Sequence, residues 1–288
     1  MAKMSWNEAL RLDDSLASLI EFFVLPPITT ELLAGGLSNR CWKLSDAQGR
    51  HYVWRPITTI STSFGVSRTN EYVLLNALEH YPFAPKPILL NQSGLLVEWL
   101  EGQVMVGQIT PHELLTTLAD VHRTQINDKP IQKFNLAEKV DLYWMQLENT
   151  AEESHLESLY KRFRKPPYVP NTRRSLCHFD LGDYNLIRTE KGIGVIDWEY
   201  AAVGDPCMDI AMTCSVAGLS IEESVEQYCK VRGIADEESW LQGTLEWLPC
   251  TQMMGMLWYY LGFQLWGDES YLQSAREMKQ TLIEQTLT

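Results

Sequence analysis

Residues 175–197 impose the tightest condition on the fold. Two short β-like runs, Ser175 to His178 and Gly194 to Asp197, interrupt a stretch that otherwise reads as helical, and each opens directly onto a polar loop. The first loop spells His178-Phe-Asp180-Leu-Gly-Asp-Tyr-Asn185, and the second run ends Val195-Ile-Asp197 after a hairpin-sized gap. Any fold that accepts this text must hold two carboxylates and one amide at fixed separations on loops.

That spacing suits phosphoryl transfer. One aspartate orients an attacking hydroxyl and takes its proton late, an asparagine five residues on binds metal, and a second aspartate at a strand end bridges metal to phosphates. Catalysis of this kind is mostly positioning and charge neutralisation, so it asks for hard oxygen ligands, which suit Mg²⁺, and not for a potent nucleophile. Asp180 is thus the expected catalytic residue, and Asn185 and Asp197 the expected metal ligands. His178 is expected to pack and hydrogen-bond within its loop, and Asp183 to make a turn.

The rest of the chain is consistent with a host for such a site. At 288 residues it can bury one large core or two smaller ones without help from disulfides. Its six cysteines include no Cys-x-x-Cys pair and the N-terminus lacks the order of a secretory signal, so a cytoplasmic location is expected. A formal net charge of −13 disfavours nucleic acid and anionic lipid as partners and favours cationic small molecules. Trp247 to Gly267 carries no charge, but Pro249, Gln252, Gly255, Gly262 and Gln264 mark it as buried helix and not as a membrane span.

Along the chain, Ser5 and Glu8 have capping-box spacing before apolar positions Leu10, Leu16, Leu19, Ile20 and Phe23, which predicts a helix that stops at Pro26-Pro27. Thr30 to Ser45 reads as a hairpin around Gly35-Gly36, His51 to Arg55 as a strand, Asn70 to Tyr81 as a helix, and Lys86 to Leu90 and Leu95 to Leu100 as strands. Thr110-Pro-His-Glu113 caps a helix running through His122. Ser220 with Glu223 caps another, and Leu245 to Leu265 and Tyr271 to Leu282 supply two more.

The text Cys177-His-Phe-Asp180…Asn185…Ile196-Asp-Trp-Glu-Tyr-Ala201…Gly204-Asp-Pro…Asp209-Ile-Ala, with Gly35-Gly-Leu-Ser-Asn39 near the start, resembles the aminoglycoside phosphotransferase and choline kinase superfamily. The resemblance implies an α+β, two-lobed, protein-kinase-like fold with ATP and Mg²⁺ between the lobes. A small antiparallel sheet with one helix would occupy 1–98, and a larger, mainly helical catalytic and substrate-binding lobe 99–288. Within the superfamily, Val140-Asp-Leu-Tyr-Trp144 and the Ile-Asp-Trp-Glu-Tyr-Ala block are most similar to the thiamine kinases of bacteria, with choline kinases next.

The same reading extends to the remaining site residues. Ser38 and Asn39 follow a glycine pair whose backbone amides could cover phosphates. Arg55 takes the place where kinases carry lysine and offers a bidentate fork, with Glu71 as its expected ion-pair partner. Glu98 and Leu100 form the expected hinge, pairing their backbone with the adenine edge. Asp209 is expected to tie the catalytic loop to a helix start through backbone hydrogen bonds. Many large aromatics, among them Tyr143, Trp144, Trp198, Tyr200, Trp258, Tyr259 and Trp266, suggest a cation–π site; Trp198, Tyr200 and Trp258, with the Glu199 carboxylate, are the expected substrate contacts. The expected reaction moves the γ-phosphoryl group of Mg-ATP to a small cationic alcohol, thiamine first. Choline or ethanolamine, an aminoglycoside, and a catalytically silent nucleotide-binding protein stand as alternatives.

Overall fold

A computed structural model describes residues 3–33, 41–126, 129–148, 153–170 and 172–287. Its N-terminal part is an antiparallel sheet in the order β1-β2-β3-β4-β6-β5, built from β1 (Lys3–Met4), β2 (Thr29–Leu32), β3 (Trp42–Ser45), β4 (His51–Pro56), β5 (Pro87–Asn91) and β6 (Gly94–Glu98). The two-residue period of a strand sorts the side chains of β4: Tyr52 and Trp54 enter a core on one face, while Val53 and Arg55 reach the cleft on the other. That alternation is what delivers Arg55 to the site.

The outer face of the sheet is covered by the N-terminal segment. Helix α1 (Trp6–Leu12) starts at the Ser5–Glu8 capping box, and Trp6, Ala9, Leu16, Leu19 and Phe23 pack with Trp42, Leu44 and Trp54. Each large apolar side chain buried there contributes about 1.5–3 kcal/mol. The helix ends sooner than its apolar pattern predicts. Asp13 turns extended, accepts from Ser15 N at 3.0 Å and from Trp42 Nε1 at 2.8 Å, and restarts the chain as a 3-10 turn over Asp14–Leu19 that leaves Ile20 exposed. The inner face meets α3 (Arg68–Ala77), which is capped by Ser67 and begins two residues before the predicted start; a short helix, α2 (Thr59–Ser63), was not anticipated.

The larger C-terminal lobe is mainly helical. It contains α4 (Pro111–Arg123), α5 (Leu136–Trp144), α6 (Leu156–Phe163), α7 (Pro206–Ala217), α8 (Ile221–Arg232), α9 (Glu237–Trp266) and α10 (Glu269–Leu287). The Thr110–Glu113 capping box opens α4 as predicted. The uncharged stretch from Trp247 lies inside α9, where Cys250, Met253, Met256, Leu257 and Leu261 are buried against α7 and α10. Among the described residues no helix is long and apolar enough to cross a membrane. Short strands complete the lobe: β7 (Gln103–Val104), β8 (Ser175–Cys177), β9 (Leu186–Thr189), β10 (Gly192–Val195) and β11 (Ala202–Gly204). The chain is therefore a two-lobed α+β protein, and the site-bearing loops leave β8 and the β9–β10 hairpin at the floor of the cleft.

Candidate active site

Asp180 stands on a loop whose backbone is unusual and well supported. Phe179 adopts φ 62°, a left-handed conformation that costs a bulky residue of order 1–3 kcal/mol. The Asp209 carboxylate, on α7, holds it there by accepting from His178 N at 2.7 Å and Phe179 N at 2.8 Å. The phenyl ring lies against Phe134 and into space that Gly204 leaves open, since a Cβ on Gly204 would sit 2.4 Å from it. His122 Nε2 lies 3.0 Å from the same Asp209 carboxylate, and Tyr228 O–H 2.7 Å from His122 Nδ1. His178 is buried, with Nε2 donating to Ile196 O at 3.0 Å, and burial lowers its pKa. It braces the loop, and Asp183 makes the turn, accepting from Gly107 N at 2.7 Å.

The two expected metal ligands share one end of a hairpin. Leu186 faces Val195 across β9 and β10, and Ile196 N donates to Asn185 O at 2.9 Å, so Asn185 and Asp197 are brought side by side by strand register. Asn185 Nδ2 donates to Asp180 Oδ2 at 3.0 Å and to Asp180 O at 2.8 Å. The amide is thereby oriented with its carbonyl oxygen turned from Asp180. Asp197 sits at φ 64° and ψ 58°, a left-handed conformation that aspartate tolerates better than most residues. An amide oxygen and a carboxylate are the hard donor set that Mg²⁺ takes.

Behind them lies a buried charge cluster. Arg55 Nε is 2.9 Å from Glu71 Oε1, and its Nη2 bonds both Asp197 Oδ1 and, at 2.9 Å, Glu199 Oε2. Arg68 Nη1 reaches Glu71 at 2.5 Å and Glu199 at 3.0 Å. Burial alone would raise the Asp197 carboxyl, but the adjacent Arg55 guanidinium outweighs it and holds the group below its ordinary value. Glu199, buried and facing Asp197, is pushed up. Asp180 is raised to about 7, chiefly by burial, against the lowering effect of its Tyr184 hydrogen bond.

The acceptor side differs from expectation. Trp198 borders the cleft but is only 1 % exposed; its indole stacks on Phe83 and donates to Val195 O at 2.9 Å, so most of it is packed into the loop. Glu199 neutralises Arg55 and Arg68 from within the cluster, a role that the reading of it as a substrate carboxylate overlooked. Tyr200 and Trp258 do line the cleft, together with Tyr259, and Trp258 Nε1 donates to Tyr200 O–H at 3.3 Å. Trp144 stacks on Tyr160 and Trp266 on Phe64, away from any ligand face.

Three residues at or beside the site escaped the sequence reading. Arg68 lies one helical turn before Glu71, a spacing that signals an ion pair once the helix start is placed at Ser67. Lys139, on α5, donates from Nζ to Phe64 O at 2.9 Å and lies 5.0 Å from the Tyr200 ring centroid and 5.6 Å from that of Tyr143. Burial lowers its pKa to about 8. Tyr184 donates its phenol to Asp180 Oδ1 at 2.6 Å.

Arg55, Lys139, Asp180, Tyr184, Asn185 and Asp197 all border one cavity of about 810 Å³. Val53, Val97, Pro85, Ile187 and Ile196 give its inner end an apolar lining of the kind that sandwiches a flat ring. Glu98, the last residue of β6, and Leu100 border it too, with Glu98 N engaged by Lys86 O at 2.8 Å. Ser38 and Asn39 lie outside the described residues.

The fold and site define a protein-kinase-like small-molecule phosphotransferase. Residues 29–241 match the model of the phosphotransferase enzyme family, and the chain belongs to that family. It is 27 % identical over 281 residues to a thiamine kinase of Escherichia coli, covering 97 % of this chain and 98 % of that protein. In fold it is similar to a choline/ethanolamine kinase family protein from Mesorhizobium loti, at TM-score 0.71 and 17 % identity over 99 % of this chain and 96 % of the other. Choline kinase LicA from Streptococcus pneumoniae follows at TM-score 0.69 and 18 % identity, over 95 % and 99 %.

Proposed function

We propose that this chain transfers the γ-phosphoryl group of Mg-ATP to the hydroxyl of a small cationic alcohol, thiamine before choline or ethanolamine. The observation that carries the reading is the meeting of Asp180, Asn185 and Asp197 on one cavity wall, with Arg55 behind them. The near-full-length likeness to a thiamine kinase supports the acceptor.

In this reading Asp180 accepts a hydrogen bond from the acceptor hydroxyl and takes its proton as the bond to phosphorus forms. Asn185 and Asp197 hold Mg²⁺, which neutralises charge on the phosphates. Arg55 keeps Asp197 ionised and adds a fixed cation beside the phosphates. Glu98 and Leu100 present backbone to the adenine edge, and Ser38 and Asn39 are assigned to the phosphates on sequence grounds alone. Residues 1–98 and 99–288 serve as nucleotide lobe and catalytic lobe.

On the acceptor side Lys139 already covers the faces of Tyr143 and Tyr200, so a substrate cation is assigned to Trp258 and Tyr259 instead. ADP release should be measured with Mg-ATP and a panel of thiamine, choline, ethanolamine and kanamycin, with the product identified by mass. Thiamine should turn over fastest; turnover of kanamycin alone, or of none, would remove the small-cation reading.

A further inference from the structure

Asp180 is already holding a hydroxyl group. The Tyr184 phenol donates to its Oδ1 at 2.6 Å, while Asn185 Nδ2 fills Oδ2 at 3.0 Å, so both carboxylate oxygens are engaged. An acceptor alcohol needs the same contact that Tyr184 makes. Unlike the acceptor, Tyr184 cannot diffuse away, yet its side chain is free to swing outward, since the residue is 41 % exposed at the cavity rim.

The position of the ring is built into the loop. A Cβ on Gly182 would lie 2.4 Å from Tyr184 Cε1 and 2.8 Å from its Cζ, so the bare glycine makes the space in which the ring lies against the loop. Gly182 itself has φ −124° and ψ 172°, extended backbone that any residue adopts. Glycine at this position therefore serves the ring and not the backbone.

We propose that the Tyr184 phenol occupies the seat of the acceptor hydroxyl on Asp180, and so suppresses transfer of the γ-phosphoryl group to water while no acceptor is bound. This rests on the phosphotransferase reading above. A kinase with a bound nucleotide and an open acceptor site faces water as a competing nucleophile. In that side reaction the water oxygen bonds to the γ-phosphorus as the bridging P–O bond breaks. ADP departs with the electron pair, and the water proton passes to Asp180. Water that cannot reach Asp180 Oδ1 loses the orientation and the proton acceptor that the step requires. An incoming alcohol, anchored by the rest of the acceptor pocket, displaces the phenol; water has no such anchor.

The test compares ADP release from Mg-ATP without acceptor for the wild-type protein, Tyr184→Phe and Gly182→Ala, beside transfer to the best alcohol of the panel. Tyr184→Phe removes only the hydroxyl; Gly182→Ala keeps the phenol and pushes the ring off Asp180. Acceptor-free ADP release should rise about tenfold in both, the equilibrium weight of one hydrogen bond to a charged group. Release that is unchanged, or that falls in step with alcohol transfer, overturns the proposal, because Tyr184 would then merely steady Asp180. A phosphate found on Tyr184 by peptide mass after incubation with Mg-ATP overturns it too. Faster hydrolysis by both variants, with no panel alcohol phosphorylated, would sink the acceptor assignment and leave this inference standing. Absence of ATP turnover in all three proteins removes both.

Discussion

On the side of the cleft assigned to nucleotide and metal, the working groups come from consecutive pieces of chain: Asp180 from the loop after β8, Asn185 from just before and Asp197 from just after the hairpin that follows. On the acceptor side, Lys139 comes from α5, Tyr200 from the turn after Asp197, and Trp258 and Tyr259 from the middle of α9. The first set is fixed by strand register and a few backbone hydrogen bonds, so its geometry is nearly a property of local sequence. The second exists only once distant helices have packed. The phosphotransfer chemistry can therefore be carried by a short motif of fixed spacing, while substrate choice can change with any residue on the helices around it.

Substitutions that separate the two sides sharpen this contrast. Asp180→Asn keeps the loop but loses the proton acceptor, and steady-state transfer should fall on the order of 10²–10⁴-fold while Mg-ATP still binds. Transfer within a few-fold of wild type would dismiss Asp180 from the chemistry.

Glu199→Gln addresses which side that residue serves. Taking one carboxylate from a buried cluster of two arginines and three acids leaves the charges balanced but removes the charge-assisted partner that Arg55 Nη2 and Arg68 Nη1 share, and urea denaturation should show a loss of about 1.5–3 kcal/mol. An unchanged midpoint with a raised acceptor KM would return Glu199 to the substrate.

A smaller effect is expected at Lys139. Its folded pKa lies near 8, below the ordinary lysine value, so between about pH 8 and 10 the unfolded chain binds more protons at this position than the folded one. Stability due to this group therefore rises with pH across that window. The stability of wild type relative to Lys139→Met should shift in favour of wild type from pH 8 to 10 in parallel denaturation series. A shift in the opposite direction would mean that the amine is held charged by its surroundings.

The same contrast explains what the sequence disclosed. The capping boxes at Ser5 and Thr110, the strands from Thr29 to Glu98 and the Asp180-Asn185-Asp197 constellation depend on near neighbours and were legible. So was the Arg55–Glu71 ion pair, through the resemblance to kinases that places Arg55 where they carry a lysine. The burial of Trp198 was not legible, because Asp197 adopts a left-handed backbone and side-chain spacing carries no trace of that turn. The pairing of Glu199 with Arg68 was not legible, because Arg68 lay just before the predicted start of its helix. Lys139 approaches the cleft through tertiary packing of α5 beside α2, and no local pattern marks it. Tyr184 and Gly182 sat in plain view inside the motif, but only coordinates reveal that the ring folds back onto Asp180.

The central claim is that Asn185 and Asp197 hold the metal of a bound Mg-nucleotide beside Asp180. Calorimetric titration of ATP into wild type, Asn185→Ala and Asp197→Ala, each with and without Mg²⁺, tests it most directly. Wild type should bind far more tightly with Mg²⁺ present, and both variants should lose most of that gain. Full retention of the Mg²⁺-dependent gain by both variants would contradict the account.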